Sequence, residues 1–278
     1  MFWTTGNPEQ DIARVSGFGL SAGQLGFPGE LPLESIGDRW ASALAKNAEF
    51  ALTTAVCSYV GEDYSDVETV RQSVGLVPQK TRAERVGRTT AVAEIAASLG
   101  VGSVACHIGF VPEDRQSAEY TELCSMVRNI CDQLSRRGQI FTLETGQEPA
   151  GALMAFIDDV DRSNLKINFD PANLILYGMG DPVDALRTVA SRVVSVHCKD
   201  GVRPKQPGAL GVEQPLGSGE VDFPAFLEAL KQIGYNGLLS IEREEPDTKR
   251  RDEDIRHAVK FLGNLLRSSN ENRIGHSS

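Results

Sequence analysis

The stretch VVSVHCKDG, residues 193–201, decides how the rest of the chain is read. Val193, Val194 and Val196 are β-branched and apolar, the composition of a parallel strand covered on both faces. His197, Lys199 and Asp200 then place three titratable groups within four positions. Burying such groups without partners costs several kcal/mol each. The strand must therefore end at a surface or at a site that uses them. Three further segments share this build: QIFTLETG (139–146), LKINFDP (165–171) and GLLSIERE (237–244). They end in Glu144, Asp170 and Glu242. Side chains alternate along a strand, so Glu144 shares a face with Thr142, Asp170 with Asn168, His197 with Ser195 and Glu242 with Ser240. The opposite faces carry Phe141 and Leu143, Ile167 and Phe169, Val194 and Val196, and Leu239 and Ile241. Those faces suit packing against helices, which turns the polar faces inward.

Working outward, strand and helix patterns alternate along the chain. FWTTG (2–6), SAGQLGF (21–27), FALTTAVCSY (50–59) and SVACHIGF (103–110) read as strands. Residues 62–80 read as a long loop with a helical piece. Helical stripes run over 83–99, 119–137 and 149–160, with glycine stops at Gly100 and Gly138. Asp181-Pro182 opens a helix by the pairing of a capping residue with proline at the first helical position. Asp222 opens another, and a last helix spans 252–266. Eight βα units in roughly 250 residues give an α/β fold, a (β/α)8 TIM barrel of one domain. The expected boundaries are a barrel over 1–267 and a polar, mobile tail over 268–278. A doubly wound sheet is the competitor, but no GxGxxG follows the first strand.

The chain has 278 residues, 41% hydrophobic and 24% charged, with a net charge of −10. This balance fits a soluble protein and repels nucleic acid. No apolar run reaches about 18 residues, so no membrane span is expected. The N-terminus lacks a basic segment followed by an apolar one and does not read as a signal peptide. Five cysteines without a CxxC pair read as reduced thiols of a cytoplasmic protein.

Barrel chemistry collects where strands hand over to the following loops. Three carboxylates and an imidazole cannot converge there without retained protons or a cation. Glu144, Asp170, His197 and Glu242 form a suitable donor set for one divalent ion. Mn²⁺ is favoured; Mg²⁺, Co²⁺, Fe²⁺ and Zn²⁺ are acceptable. The small polar residue two positions before each ligand is available as support.

FTLETG, NFDPANL, VHCKDG, PLGSGEVDFPAFL and LLSIERE together give the chain its family character. It resembles the sugar phosphate isomerase/epimerase superfamily, the xylose isomerase-like TIM barrels, over nearly its whole length. The resemblance implies metal ligation by Glu144, Asp170, His197 and Glu242. It also implies proton transfer by Glu144 and Glu242 next to a substrate carbonyl, through a metal-stabilised enediolate. The expected partner is a small carbohydrate or polyol, with no nucleic acid and no membrane; a homo-oligomer is compatible. His107, in CHIGF, resembles a substrate-facing position or is a core histidine. Lys199 holds a substrate oxygen or closes a loop salt bridge. Glu148 binds a hydroxyl or caps the helix near Pro149, and Trp3 walls the pocket or joins the core. LGSG (216–219) has the look of a phosphate cradle but reads better as a tight turn. Asn173, Gly211 and Glu213 replace the extra metal ligands of endonuclease IV-type enzymes, which weighs against DNA repair. Asn173 also departs from epimerases with histidine there. The alternatives are a lyase, dehydratase or hydrolase of the same superfamily, or a catalytically silent carbohydrate-binding barrel.

Overall fold

The computed structural model describes the backbone of residues 1–274 and the side chains of residues 1–268. Among the described residues, ten strands and ten α-helices follow one another as β1 (Phe2–Trp3), α1 (Pro8–Ser16), β2 (Ala22–Phe27), α2 (Ile36–Lys46), β3 (Ala51–Cys57), α3 (Val67–Ser73), α4 (Gln79–Ser98), β4 (Ser103–Cys106), α5 (Ala118–Ser135), β5 (Ile140–Glu144), α6 (Ala150–Val160), β6 (Leu165–Phe169), α7 (Pro171–Tyr177), α8 (Pro182–Val189), β7 (Val193–Cys198), β8 (Asp200–Val202), β9 (Val212–Gln214), α9 (Phe223–Gln232), β10 (Leu239–Ile241) and α10 (Thr248–Ile274). Eight of the strands form one parallel sheet in the order β1-β2-β3-β4-β5-β6-β7-β10. This is a single-domain (β/α)8 barrel. At the seam the Met1 amino group donates to the Ile241 carbonyl.

The apolar faces behave as strand alternation requires. Phe141, Leu143, Ile167, Phe169 and Val196 are fully buried, and Leu153, Phe156, Ile157 and Val160 of α6 pack in the same core. Val194 differs: it sits near the start of β7 and is exposed. Among the described residues no helix is long and apolar enough to cross a membrane. All five cysteines are free and buried.

Two elements go beyond the sequence expectation. Helix α7 follows β6 at once, with Asp170 as its cap and Gly178 as its left-handed stop. An antiparallel hairpin, β8 with β9, interrupts the path from β7 to α9. The last helix also runs past Leu266 to Ile274, where a polar tail was expected. The end of that tail, residues 275–278, lies outside the described residues. At the mouth of the barrel, Arg85 and Arg88 of α4 donate to the carbonyls of Val60, Gly75, Ser58 and Pro28. These bonds satisfy backbone acceptors that irregular loops leave open and hold the loops after β2, β3 and α3 in place.

Candidate metal centre

The ends of β5, β6, β7 and β10 bring Glu144, Asp170, His197 and Glu242 together. One ligand atom from each lies within 4.8 Å of all the others, and all four residues are buried. His197 Nδ1 is 2.6 Å from Glu242 Oε2, 3.5 Å from Glu144 Oε1 and 3.5 Å from Asp170 Oδ2. Three of these atoms, His197 Nδ1, Asp170 Oδ2 and Glu242 Oε2, make no hydrogen bond of good geometry, although His197 Nδ1 and Glu242 Oε2 are within ion-pair distance. An unsatisfied buried polar atom costs about 1–3 kcal/mol. Three such atoms facing one another fit a shared cation.

The remaining atoms of the same side chains are held from behind. Asp170 Oδ1 accepts from the amides of Ala172 and Asn173 at 2.8 and 3.0 Å, so one carboxylate oxygen caps α7 and the other stays with the cluster. His197 Nε2 lies 2.8 Å from Gln24 Oε1 and 3.0 Å from Asn168 Nδ2. Donation to the Gln24 oxygen fixes the tautomer that leaves Nδ1 free as a ligand. Asn168 Oδ1 accepts from Gln24 Nε2 and from Ser195 Oγ. Support from the residues two positions below the ligands is thus partly realised, but across strands. Asn168 backs His197 rather than Asp170, because β6 and β7 align Asn168 with Ser195. Thr142 instead donates to the Val104 carbonyl.

The electrostatics follow from packing opposite charges out of water. Burial alone would lower the His197 pKa, but Glu242 and Glu144 outweigh it and raise it well above the usual range. Burial likewise opposes the charge on Glu242, yet His197 and Lys199 hold its pKa well below the ordinary value. Asp170 goes the other way, its pKa raised by burial. A cation taking the Nδ1 position would displace the proton that these carboxylates favour there.

Lys199 is buried, with Nζ 3.9 Å from Asp170 Oδ2, 3.8 Å from Glu242 Oε1 and 3.6 Å from Glu244 Oε2. It is part of the cluster's charge balance. His107 Nε2 lies 3.5 Å from Glu144 Oε1, and Gln147 Nε2 lies 3.2 Å from its other ring nitrogen. That places His107 at the site rather than in a backbone-bonded core. Glu148 does not cap α6, which starts without a side-chain cap. Its Oε1 accepts from the Val111 amide instead, because the loop after β5 folds onto the loop after β4. Burial pushes its pKa up to about 7. Trp3 is 37% exposed and so is not core. Its ring lies against Gly26, where a Cβ would come within 2.4 Å of it. It lines a cavity of about 530 Å³ at the seam, which Glu242 also lines.

LGSG is a turn whose amides are already occupied. Asp200 Oδ2 accepts from Gly217 and Gly219, and Oδ1 from Gly201 and Val221. The chain supplies its own anion to the cradle. Gln24, Gln147 and the anchoring role of Asp200 had no local signal beyond being polar in or beside a strand.

The sequence pattern described as xylose isomerase-like TIM barrel spans residues 12–265. The chain belongs to this family. It is similar to a xylose isomerase domain protein from Planctomyces limnophilus, at 37% identity, with 92% of this chain and 91% of that chain covered and a TM-score of 0.84. A xylose isomerase-like TIM barrel protein from Mycobacterium smegmatis, solved in complex with magnesium, shares the fold at 17% identity, with coverage of 94% and 88% and a TM-score of 0.68. The uncharacterized protein YihM of Escherichia coli is 28% identical over 145 residues, 50% of this chain and 44% of that protein. The chain matches less than half the length of such curated relatives. Other similar proteins are named inosose isomerase, L-ribulose 3-epimerase, inosose dehydratase and 3-oxo-isoapionate decarboxylase.

Proposed function

We propose that this protein is a divalent-metal-dependent epimerase or isomerase of a small keto-polyol. The observation that carries the reading is the convergence on one point of three buried ligand atoms without a hydrogen bond of good geometry. Glu144, Asp170, His197 and Glu242 would hold the ion. When bound, it supplies Lewis-acid chemistry, drawing negative charge onto the oxygens beside the reacting carbon.

The remaining work falls to the chain's own side chains. Glu144 and Glu242 come from the two outer strands of the arc, from β5 and from just past β10. One removes the proton next to the carbonyl and the other returns it. Return to the same carbon from the opposite face inverts it; return to the neighbouring carbon moves the carbonyl. His107 and Lys199 hold substrate oxygens, and Glu148 and Trp3 bound the space where the rest of the polyol lies. The net charge of −10 and a cradle already filled by Asp200 favour an uncharged substrate over nucleic acid or a phosphate ester.

The test combines elemental analysis with a ketose and inosose screen in D₂O. The expected result is about one divalent ion per chain, with Mn²⁺ the best activator, and deuterium entering the substrate beside the carbonyl. Failure to retain any divalent ion after loading would overturn the reading. Turnover with loss of water or CO₂ and no reprotonated isomer would move the protein to the dehydratases or decarboxylases.

A further inference from the structure

Two of the four candidate ligands are tied to each other by two buried neighbours, Thr145 and Asn173. Thr145 follows Glu144. Its hydroxyl accepts from the Asp170 amide at 2.7 Å and donates to the Asp170 carbonyl at 2.9 Å. Asn173, one turn into α7, sends its side-chain amide to Glu144 Oε1 at 3.0 Å and to the Thr145 carbonyl at 3.2 Å. Both residues are buried. The backbone makes room for the second contact: Gly146 has φ +150°, and a Cβ there would lie 2.7 Å from the Asn173 Cβ. Only glycine adopts that conformation without strain.

The stitch is one-sided. Among the described residues, neither Thr145 nor Asn173 hydrogen-bonds to His197 or Glu242. The ends of β5 and β6 are therefore locked as a unit that presents Glu144 and Asp170 in fixed orientation. We propose that Thr145 and Asn173 are positioning residues that pre-form the Glu144–Asp170 half of the centre, and that they set its affinity for a divalent cation. This rests on the metal-dependent reading above and deepens it. A ligand pair fixed in advance loses no side-chain freedom when the ion arrives, and removing groups that orient ligands typically costs about 10–100-fold in affinity.

The experiment measures Mn²⁺ affinity by competition with a chelator in wild type, Asn173→Ala, Thr145→Val and Thr145→Ser, together with the melting temperature of each protein in EDTA. Thr145→Val keeps the shape and removes the hydroxyl; Thr145→Ser keeps the hydroxyl. Asn173→Ala and Thr145→Val should bind Mn²⁺ about 10–100-fold more weakly, with Thr145→Ser close to wild type. Melting in EDTA should shift too little to unfold any variant at the assay temperature. Wild-type affinity in Asn173→Ala and Thr145→Val would overturn the assignment while leaving the metal reading intact. Loss of the fold in EDTA would make the contacts structural and overturn it as well. A wild type that binds no Mn²⁺ would remove both readings together.

Discussion

The two halves of the barrel share one backbone plan and carry different loads. In the second half, β5, β6, β7 and β10 each lead into a titratable ligand, and each carries a small polar residue two positions earlier. In the first half, β2, β3 and β4 end in Phe27, Cys57 and Cys106, all buried. Among the described residues, that half contacts the polar cluster through Gln24, which touches His197 and Asn168, and through His107, which faces Glu144. Closing a barrel needs eight strands of suitable alternation, whereas assembling a cation site needs only a few neighbouring strand ends. The fold is therefore spread around the ring while the chemistry is concentrated on one arc.

The sharpest way to break this comparison is at Glu144. Glu144→Gln retains an oxygen near the centre and removes the base. The expected loss in kcat is about 10²–10⁴-fold, the usual weight of general acid–base catalysis, with the divalent ion still present by elemental analysis. An unchanged kcat would take Glu144 out of the proton transfer. Next in size is Asp200, which belongs to the same arc but performs no chemistry. Asp200→Ala strands four backbone amides and should cost about 3 kcal/mol or more, a fall in Tm of roughly 6–12 °C for a chain of this length. Thermal melting checks it. A Tm within about 2 °C of wild type would mean that the glycine-rich turn does not depend on its internal anion.

Glu148 bridges the halves, since it stands after β5 and accepts from Val111 after β4. Its folded pKa of about 7 lies above the ordinary carboxyl value. The unfolded chain therefore releases this proton first, and the folded state must catch up at a cost. The contribution is favourable below the ordinary carboxyl pKa and is lost as pH rises through about 7. At most about 3 kcal/mol is involved, from roughly 1.4 kcal/mol per pKa unit. Glu148→Gln cannot ionise, so its Tm in EDTA should gain on wild type between pH 5 and pH 8. A difference between the two proteins that does not change with pH would show that the buried carboxylate is compensated in its charged form.

How much of this was legible follows from what each feature asks of the local sequence. Glu144, Asp170, His197 and Glu242 stood out because strict alternation put a titratable group at the inward end of each strand. Helix α7 was missed although Asp170-Pro171 repeats the signature that revealed Asp181-Pro182. The sequence spends Asp170 on the ligand reading, whereas in the structure one of its oxygens caps α7 and the other faces the cluster. The β8–β9 hairpin has only three residues per strand, too few for periodicity to register. Glu148 looked like a cap from its place before a helix; its real partner comes from a loop 37 residues away. Gln24 was invisible for the same reason in a stronger form, since 173 residues separate it from His197.

Gln24 is also where the comparison can be made finer. It is the one residue of β2 that hydrogen-bonds to a ligand of the centre among the described residues. Gln24→Leu keeps the volume, removes the acceptor for His197 Nε2 and leaves Asn168 as the only polar group beside that nitrogen. The imidazole then loses the bond that selects its tautomer, and the ring must spend part of its time with the proton on Nδ1. A loss of about 10–100-fold in Mn²⁺ affinity is expected, with kcat at saturating metal reduced less than in Glu144→Gln. Were affinity unchanged, Asn168 alone would suffice to orient His197, and β2 would contribute a wall and nothing to the ligands. Were kcat to fall as far as in Glu144→Gln with the ion fully bound, Gln24 would have to act on the reacting atoms, and the division between a scaffold arc and a chemical arc would not hold.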